Sequence, residues 1–92
     1  MNTYELTILF PEEQEKEKER VVKMIGDFVK KQKGELMKQE SWGVKTLAYP
    51  IEKKTKADYE HFILSLSSSD QPELDRLLRL DEVIMRYLFV RV

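Results

Sequence analysis

Apolar and polar positions alternate cleanly from Tyr4 to Phe10: Tyr4, Leu6, Ile8 and Phe10 share one parity, and Glu5, Thr7 and Leu9 the other. A period of two puts alternate side chains on opposite faces of an extended chain, so this segment reads as a strand with one buried face. Pro11 breaks it. Beyond Pro11 the period changes: Val21, Met24, Ile25, Phe28 and Val29 recur at three- and four-residue spacing and form the apolar stripe of a helix. Glutamates crowd the front of that segment, and Lys30, Lys31 and Lys33 its end. Both suit the helix dipole, at about 0.3–1 kcal/mol for each well-placed charge. Gly34 follows as the expected left-handed stop.

From Glu35 to Ile51 the chain reads as one long strand, with Trp42, Val44, Thr46 and Ala48 on one parity and Leu47 and Tyr49 on the other. Gly43 inside the run predicts a bulge or strong twist, and Pro50 places the strand at a sheet edge, because proline cannot donate to a central ladder. A polar hairpin loop is expected over Glu52 to Asp58. A strand over Tyr59 to Ser67 follows, with Phe62, Leu64 and Leu66 on one face and Tyr59, His61 and Ile63 on the other. Asp70 with Glu73 three residues on fits a capping box, and Pro72 suits the first turn of a helix. Leu74, Leu77 and Leu78 supply that helix's stripe, and Val83 to Val92 reads as a last strand.

The order β-α-β-β-α-β is the split β-α-β, or ferredoxin-like, plan of the α+β class. Right-handed crossovers put both helices on one face of a four-stranded antiparallel sheet, with expected strand order 4-1-3-2 and the second and fourth strands at the edges. Residues 1–92 are expected to form one domain. A sheet covered on one face only should be polar on the other. Here the open face would carry Leu9, Tyr59, His61 and Ile63, and the last strand is apolar on both parities, with Tyr87 and Phe89 on one and Leu88 and Val90 on the other. Apolar residues gathered from adjacent strands mark an interaction surface. Tyr59, His61, Ile63, Leu88 and Val90 are its candidate members.

Composition narrows the function. The chain has 92 residues, no cysteine, one histidine and a net charge of −1. The missing cysteines leave no disulfide framework and no thiolate metal site, and suit a reducing cytoplasm. The N-terminal stretch has no signal-peptide pattern, and no apolar run approaches the length of a membrane span. His61 sits mid-strand, where it is expected to be partly exposed, and no nucleophile elbow or second ligand type accompanies it. The loop after the first strand, Phe10-Pro11-Glu12-Glu13, would repel a phosphate, and the glycines are too scattered to form a phosphate-binding loop. No catalytic residue, cofactor, metal or small-molecule substrate is therefore expected. Bulk charge does not draw the chain to nucleic acid, so any such affinity must come from local cations: Lys45 on the long strand, Lys53, Lys54 and Lys56 in the hairpin, and Arg86 and Arg91 on the last strand. Each is able to neutralise a phosphate, although each taken singly also reads as a solvated surface charge. Tyr59 and Phe62 have opposite parity and cannot form one base-stacking platform.

The run Trp42-Gly43-Val44-Lys45-Thr46-Leu47-Ala48-Tyr49-Pro50-Ile51 resembles the signature of the sixth protein of the bacterial small ribosomal subunit, above all in Leu-Ala-Tyr-Pro-Ile. Tyr4-Glu5, Lys56-Ala57-Asp58-Tyr59 and Leu80-Asp81-Glu82-Val83-Ile84-Met85-Arg86 agree in order, so the resemblance spans the chain. It implies a ferredoxin-like fold, no catalysis, and a place on the ribosome in the cytoplasm. It also implies binding of central-domain small-subunit ribosomal RNA, jointly with the eighteenth small-subunit protein. Carried over by position, Lys45, Tyr49, Arg86 and Arg91 would contact phosphate and sugar, which position a protein on RNA without reading bases. The chain departs from the pattern at Val44, where arginine is common, and at Asn2-Thr3, where basic residues often precede Tyr4. It also ends at Val92 without the polar tail of many relatives. These departures predict weak RNA affinity alone and reliance on the protein partner. The other reading of the same fold is a regulatory module that binds a small ligand and dimerises through its sheet.

Overall fold

The structure is a computed structural model and describes residues 1–51 and 53–92. Its elements, in order, are β1 (Asn2–Phe10), α1 (Glu15–Lys31), β2 (Glu35–Ile51), β3 (Lys54–Leu66), α2 (Gln71–Leu80) and β4 (Arg86–Arg91). The strands form one antiparallel sheet in the order β2-β3-β1-β4, the ferredoxin-like arrangement expected from the sequence. The alternation in β1 maps directly onto burial. Tyr4, Leu6, Ile8 and Phe10 lie in register with Leu64, Phe62, Glu60 and Asp58 of β3, and the apolar members of this set are buried. Against them pack Val21, Ile25 and Val29 of α1 and Leu74 and Leu78 of α2. Both helices therefore cover the same sheet face.

Several local expectations are corrected. Gly34 is not the left-handed residue that ends α1. Lys33 holds that conformation, with φ 61°. Its N–H bonds the Lys30 carbonyl and the Gly34 N–H bonds the Val29 carbonyl at 2.8 Å, which completes a Schellman motif one residue earlier. Gly34 is needed for space instead, because a Cβ there would collide with the Ser65 backbone carbonyl. The capping box does not form. Asp70 is itself in helical conformation and makes no side-chain cap bond, while the Glu73 carboxylate is held by Arg76. The hairpin loop is shorter than Glu52 to Asp58, since β3 already begins at Lys54; Glu52 itself lies outside the described residues. The last strand begins at Arg86 rather than Val83. Asp81 accepts the Val83 N–H on Oδ1 and the Ile84 N–H on its carbonyl, so the chain turns there. Val83 and Ile84 fill the edge of the core without pairing.

One buried charge cluster braces β3 from below. Asp58 and Glu60 point to the helix side, where the Lys18 ammonium of α1 lies 2.8 Å from Asp58 Oδ2 and 3.3 Å from Glu60 Oε1. Glu15 adds a third oxygen at 3.2 Å. Burial alone would lower the Lys18 pKa, but hydrogen bonds to Asp58 and Glu15 and the charge of Asp58 more than reverse this and hold it above the ordinary lysine value.

Candidate nucleic-acid interface

The open sheet face can be read as rows of residues that lie side by side. At one end Tyr59, Leu9 and Arg86 are neighbours; then His61, Thr7 and Leu88; then Ile63, Glu5 and Val90. The first row is aromatic and basic. The last two carry the exposed apolar residues of β4, Leu88 at 62% exposure and Val90 at 38%.

β2 completes the first row in a way its sequence pattern does not show. Thr46 pairs with Lys56 and Ile51 with Lys54, so residues 47–50 stand opposite Thr55 alone. The surplus chain arches away from the ladder and over the open face. Its Tyr49 hydroxyl accepts a hydrogen bond from Arg86 Nη1 at 3.1 Å. β2 and β4 are the two outer strands, about three strand spacings or ~14 Å apart, so this bond ties one edge of the sheet to the other. Beneath the arch is a cleft of about 260 Å³ lined by residues of all four strands, among them Leu47, Tyr49 and Ile51 of β2, Tyr59 of β3, Leu9 of β1 and Arg86 of β4.

Lys45 lies beside this cleft. Its ammonium is 5.6 Å from the Tyr59 ring centre and 5.4 Å from that of Trp42, within cation–π range of both. Lys53, Lys54 and Lys56 project from the adjoining hairpin and, with Glu12, border a second cleft of about 260 Å³. The structure thus gathers six of the seven expected RNA-contacting residues at one end of the molecule: Lys45, Tyr49, Lys53, Lys54, Lys56 and Arg86. Arg91 stands apart. It pairs with Tyr4, so it lies at the far end of β4 and on the parity of the helix-covered face.

The candidate protein-binding residues divide as well. Ile63, Leu88 and Val90 form an apolar strip away from the basic end, interrupted by Thr7 and Glu5 of β1, whereas Tyr59 belongs to the cleft. His61 is corrected from partly exposed to buried, at 8%. The Trp42 ring lies over it, centroids 4.6 Å apart and planes within 12°, so Trp42 and not His61 presents the surface there. Gly43, at φ 80°, makes this possible: the bulge between Ser41 and Gly43 turns Trp42 onto the open face and breaks its parity with Val44. The lone glycine in a strand pattern was the available signal for this.

Among the described residues no group of three or more histidine, cysteine, aspartate or glutamate side chains is placed to hold a metal, and no helix is long and apolar enough to cross a membrane. A four-stranded antiparallel sheet with two helices on one face defines the class of small ferredoxin-like α+β domains. Within that class, residues 3–91 match the family described as Ribosomal protein S6, and the chain belongs to this family of the small ribosomal subunit. It is 30% identical to the small ribosomal subunit protein bS6 of Caldanaerobacter subterraneus subsp. tengcongensis, over 99% of this chain and 97% of the relative. It is 34% identical to that of Corynebacterium glutamicum, over 100% and 98%. The crystal structure of 30S ribosomal protein S6 from Thermotoga maritima superposes with a TM-score of 0.89 at 25% identity, covering 99% of this chain and 87% of that one. The C-terminal domain of the MgtC protein from Mycobacterium tuberculosis, at 11% identity and a TM-score of 0.69, shares the fold alone.

Proposed function

We propose that the chain is a non-catalytic component of the bacterial small ribosomal subunit in the cytoplasm. It binds small-subunit ribosomal RNA of the central domain jointly with the eighteenth small-subunit protein. The observation that carries this reading is the arch, which draws Tyr49 onto Arg86 and concentrates Lys45 and the lysine hairpin at the same end of an otherwise slightly acidic molecule. Neither Arg86 nor these lysines form an ion pair among the described residues, which supports a role for them toward phosphates. The strip of Ile63, Leu88 and Val90 is separate from that end, so RNA and protein can be bound at once. In this division Trp42, resting on His61, borders both surfaces.

A net charge of −1, with acidic residues balancing the basic ones, makes the grip on RNA weak without the second protein. The test is binding to a central-domain RNA fragment at physiological salt by the chain alone, the eighteenth protein alone, and both. Tight binding is expected only with both. Tight binding by the chain alone would refute joint recognition.

A further inference from the structure

The cleft beneath the arch is built for more than phosphate. From its shape and lining we infer that it receives one unpaired nucleotide of the RNA, its base inserted between the tyrosines and its phosphate on Arg86. This rests on the reading of the chain as an RNA-binding protein and adds a base-stacking contact to it.

The volume, about 260 Å³, falls just short of the roughly 300–1,000 Å³ of sites that enclose whole small molecules, and suits a single planar group. Two tyrosines line it, Tyr59 from the sheet and Tyr49 from the arch, the latter 61% exposed. Leu9, Leu47 and Ile51 supply apolar surface around them. No carboxylate is present among the described lining residues. Arg86 spends one donor on the Tyr49 hydroxyl, which fixes that ring, and retains others of its five N–H groups for an anion.

Charge and shape together select the occupant. An aliphatic side chain would leave the guanidinium unused, and an acidic side chain would leave the tyrosine faces unused. A nucleotide offers a flat π face and an anionic phosphate in one unit. The base must be unpaired, because RNA bases become available for stacking on aromatic side chains only where they are splayed out of a helix.

The experiment compares three single-stranded probes on the full chain at low salt: octauridylate, octaadenylate, and an abasic ribose-phosphate octamer of equal charge. Affinity is read by fluorescence anisotropy, and the Tyr49 and Tyr59 ring protons by NMR. Base-bearing strands are expected to shift both rings and to bind about 5- to 150-fold more tightly than the abasic strand, the range of a lost base–aromatic stack. Tyr49→Ala should remove that advantage without changing the salt dependence. Tyr49→Phe, which keeps the ring and loses only the hydroxyl, should retain most of it. Equal affinity for base-bearing and abasic strands would overturn the nucleotide site while leaving phosphate binding standing. Rings that move only on adding the eighteenth protein would overturn it in favour of a protein side chain. Failure of every strand to bind, even at low salt, would overturn this inference, and the RNA-binding reading falls with it only if the chain and the eighteenth protein together also fail to bind the central-domain fragment.

Discussion

Replacing Lys18 with methionine tests whether the buried charge cluster holds α1 to β3. Asp58 and Glu60 are 7% and 3% exposed, and among the described residues Lys18 is the cation that meets both. Glu60 Oε2 has no hydrogen-bond partner, so the cluster is incompletely satisfied even in the parent. Methionine keeps the length of the stem and removes the charge. Two buried carboxylates are then left uncompensated, a change that costs about 3–5 kcal/mol. A chain of this size has on the order of 5–14 kcal/mol of stability in total. The urea midpoint should therefore fall by more than about 1 M, taking ~1–3 kcal/mol per M as the slope. A triple variant with Asp58→Asn and Glu60→Gln added should recover most of the loss. A Lys18→Met midpoint within error of the parent would refute the claim. A triple variant as unstable as the single would show that the stem's packing, not the charge, was lost. Linkage gives the sign with pH. The Lys18 pKa is raised in the folded state, so its contribution is fully present below the unfolded value of about 10.4 and is lost as pH rises through the folded one. The gap between parent and variant should hold through neutral pH and close only under strong alkali. Because Asp58 and Glu60 flank Tyr59 in sequence and point to the opposite face of β3 from it, loosening the cluster should also disturb the cleft above it.

Three further outcomes are expected. Gly34→Ala should destabilise by about 1–3 kcal/mol through overpacking against the Ser65 carbonyl, whereas Lys33→Gly should stabilise by up to ~1 kcal/mol by relieving a left-handed lysine; thermal midpoints moving the other way would reverse the roles assigned here. Tyr87→Phe should cost about 1–3 kcal/mol, since the Tyr87 hydroxyl donates to Asp75 Oδ1 at 2.9 Å. Burial, then the bond to Asp75, raises the Tyr87 pKa, so its share of stability is present below about pH 10 and fades above it, and the variant should lack that share of the alkaline loss. Leu88→Lys should leave the melting temperature nearly unchanged, being an exposed substitution. It should still weaken capture of the eighteenth protein in a pull-down; undiminished capture would move the partner off this strip.

Much of the fold is legible from periodicity because one face of β1, and the matching face of β3 from Phe62 to Leu66, is apolar core throughout. Tyr4, Leu6, Ile8 and Phe10 are core at every second position, and Phe62, Leu64 and Leu66 answer them. Strand order follows from chirality and from Pro50 in β2, which had to be an edge. The site was legible in composition and not in shape. Lys45, Tyr49 and Arg86 stand out in the sequence, yet alternation carries on through Thr46 to Ile51 as though pairing continued. Only the register shows that residues 47–50 leave the ladder. A bulge has no period: Gly43 signalled one, but alternation showed neither the arch nor the turn of Trp42 over His61. The end of α1 misled for a related reason. Gly34 looked like a conformational requirement, but its need is steric and comes from Ser65, far along the chain. At Val83 and Ile84, β-branched residues suggested a strand, while Asp81 held their backbone in a turn.

The salt dependence of RNA binding decides whether the basic end of the sheet is the RNA surface. Binding of a central-domain fragment by the chain together with the eighteenth protein would be followed from about 50 to 200 mM salt, where phosphate contacts dominate the change. Lys45→Ala and Arg86→Ala should each lower the magnitude of the slope of log K against log salt by about 0.9, or nearer 0.7 where the strand is single. Arg91→Ala, at the other end of β4, should leave it unchanged. Unchanged slopes in Lys45→Ala and Arg86→Ala, or a loss at Arg91 alone, would place the RNA elsewhere and contradict the function proposed for the arch.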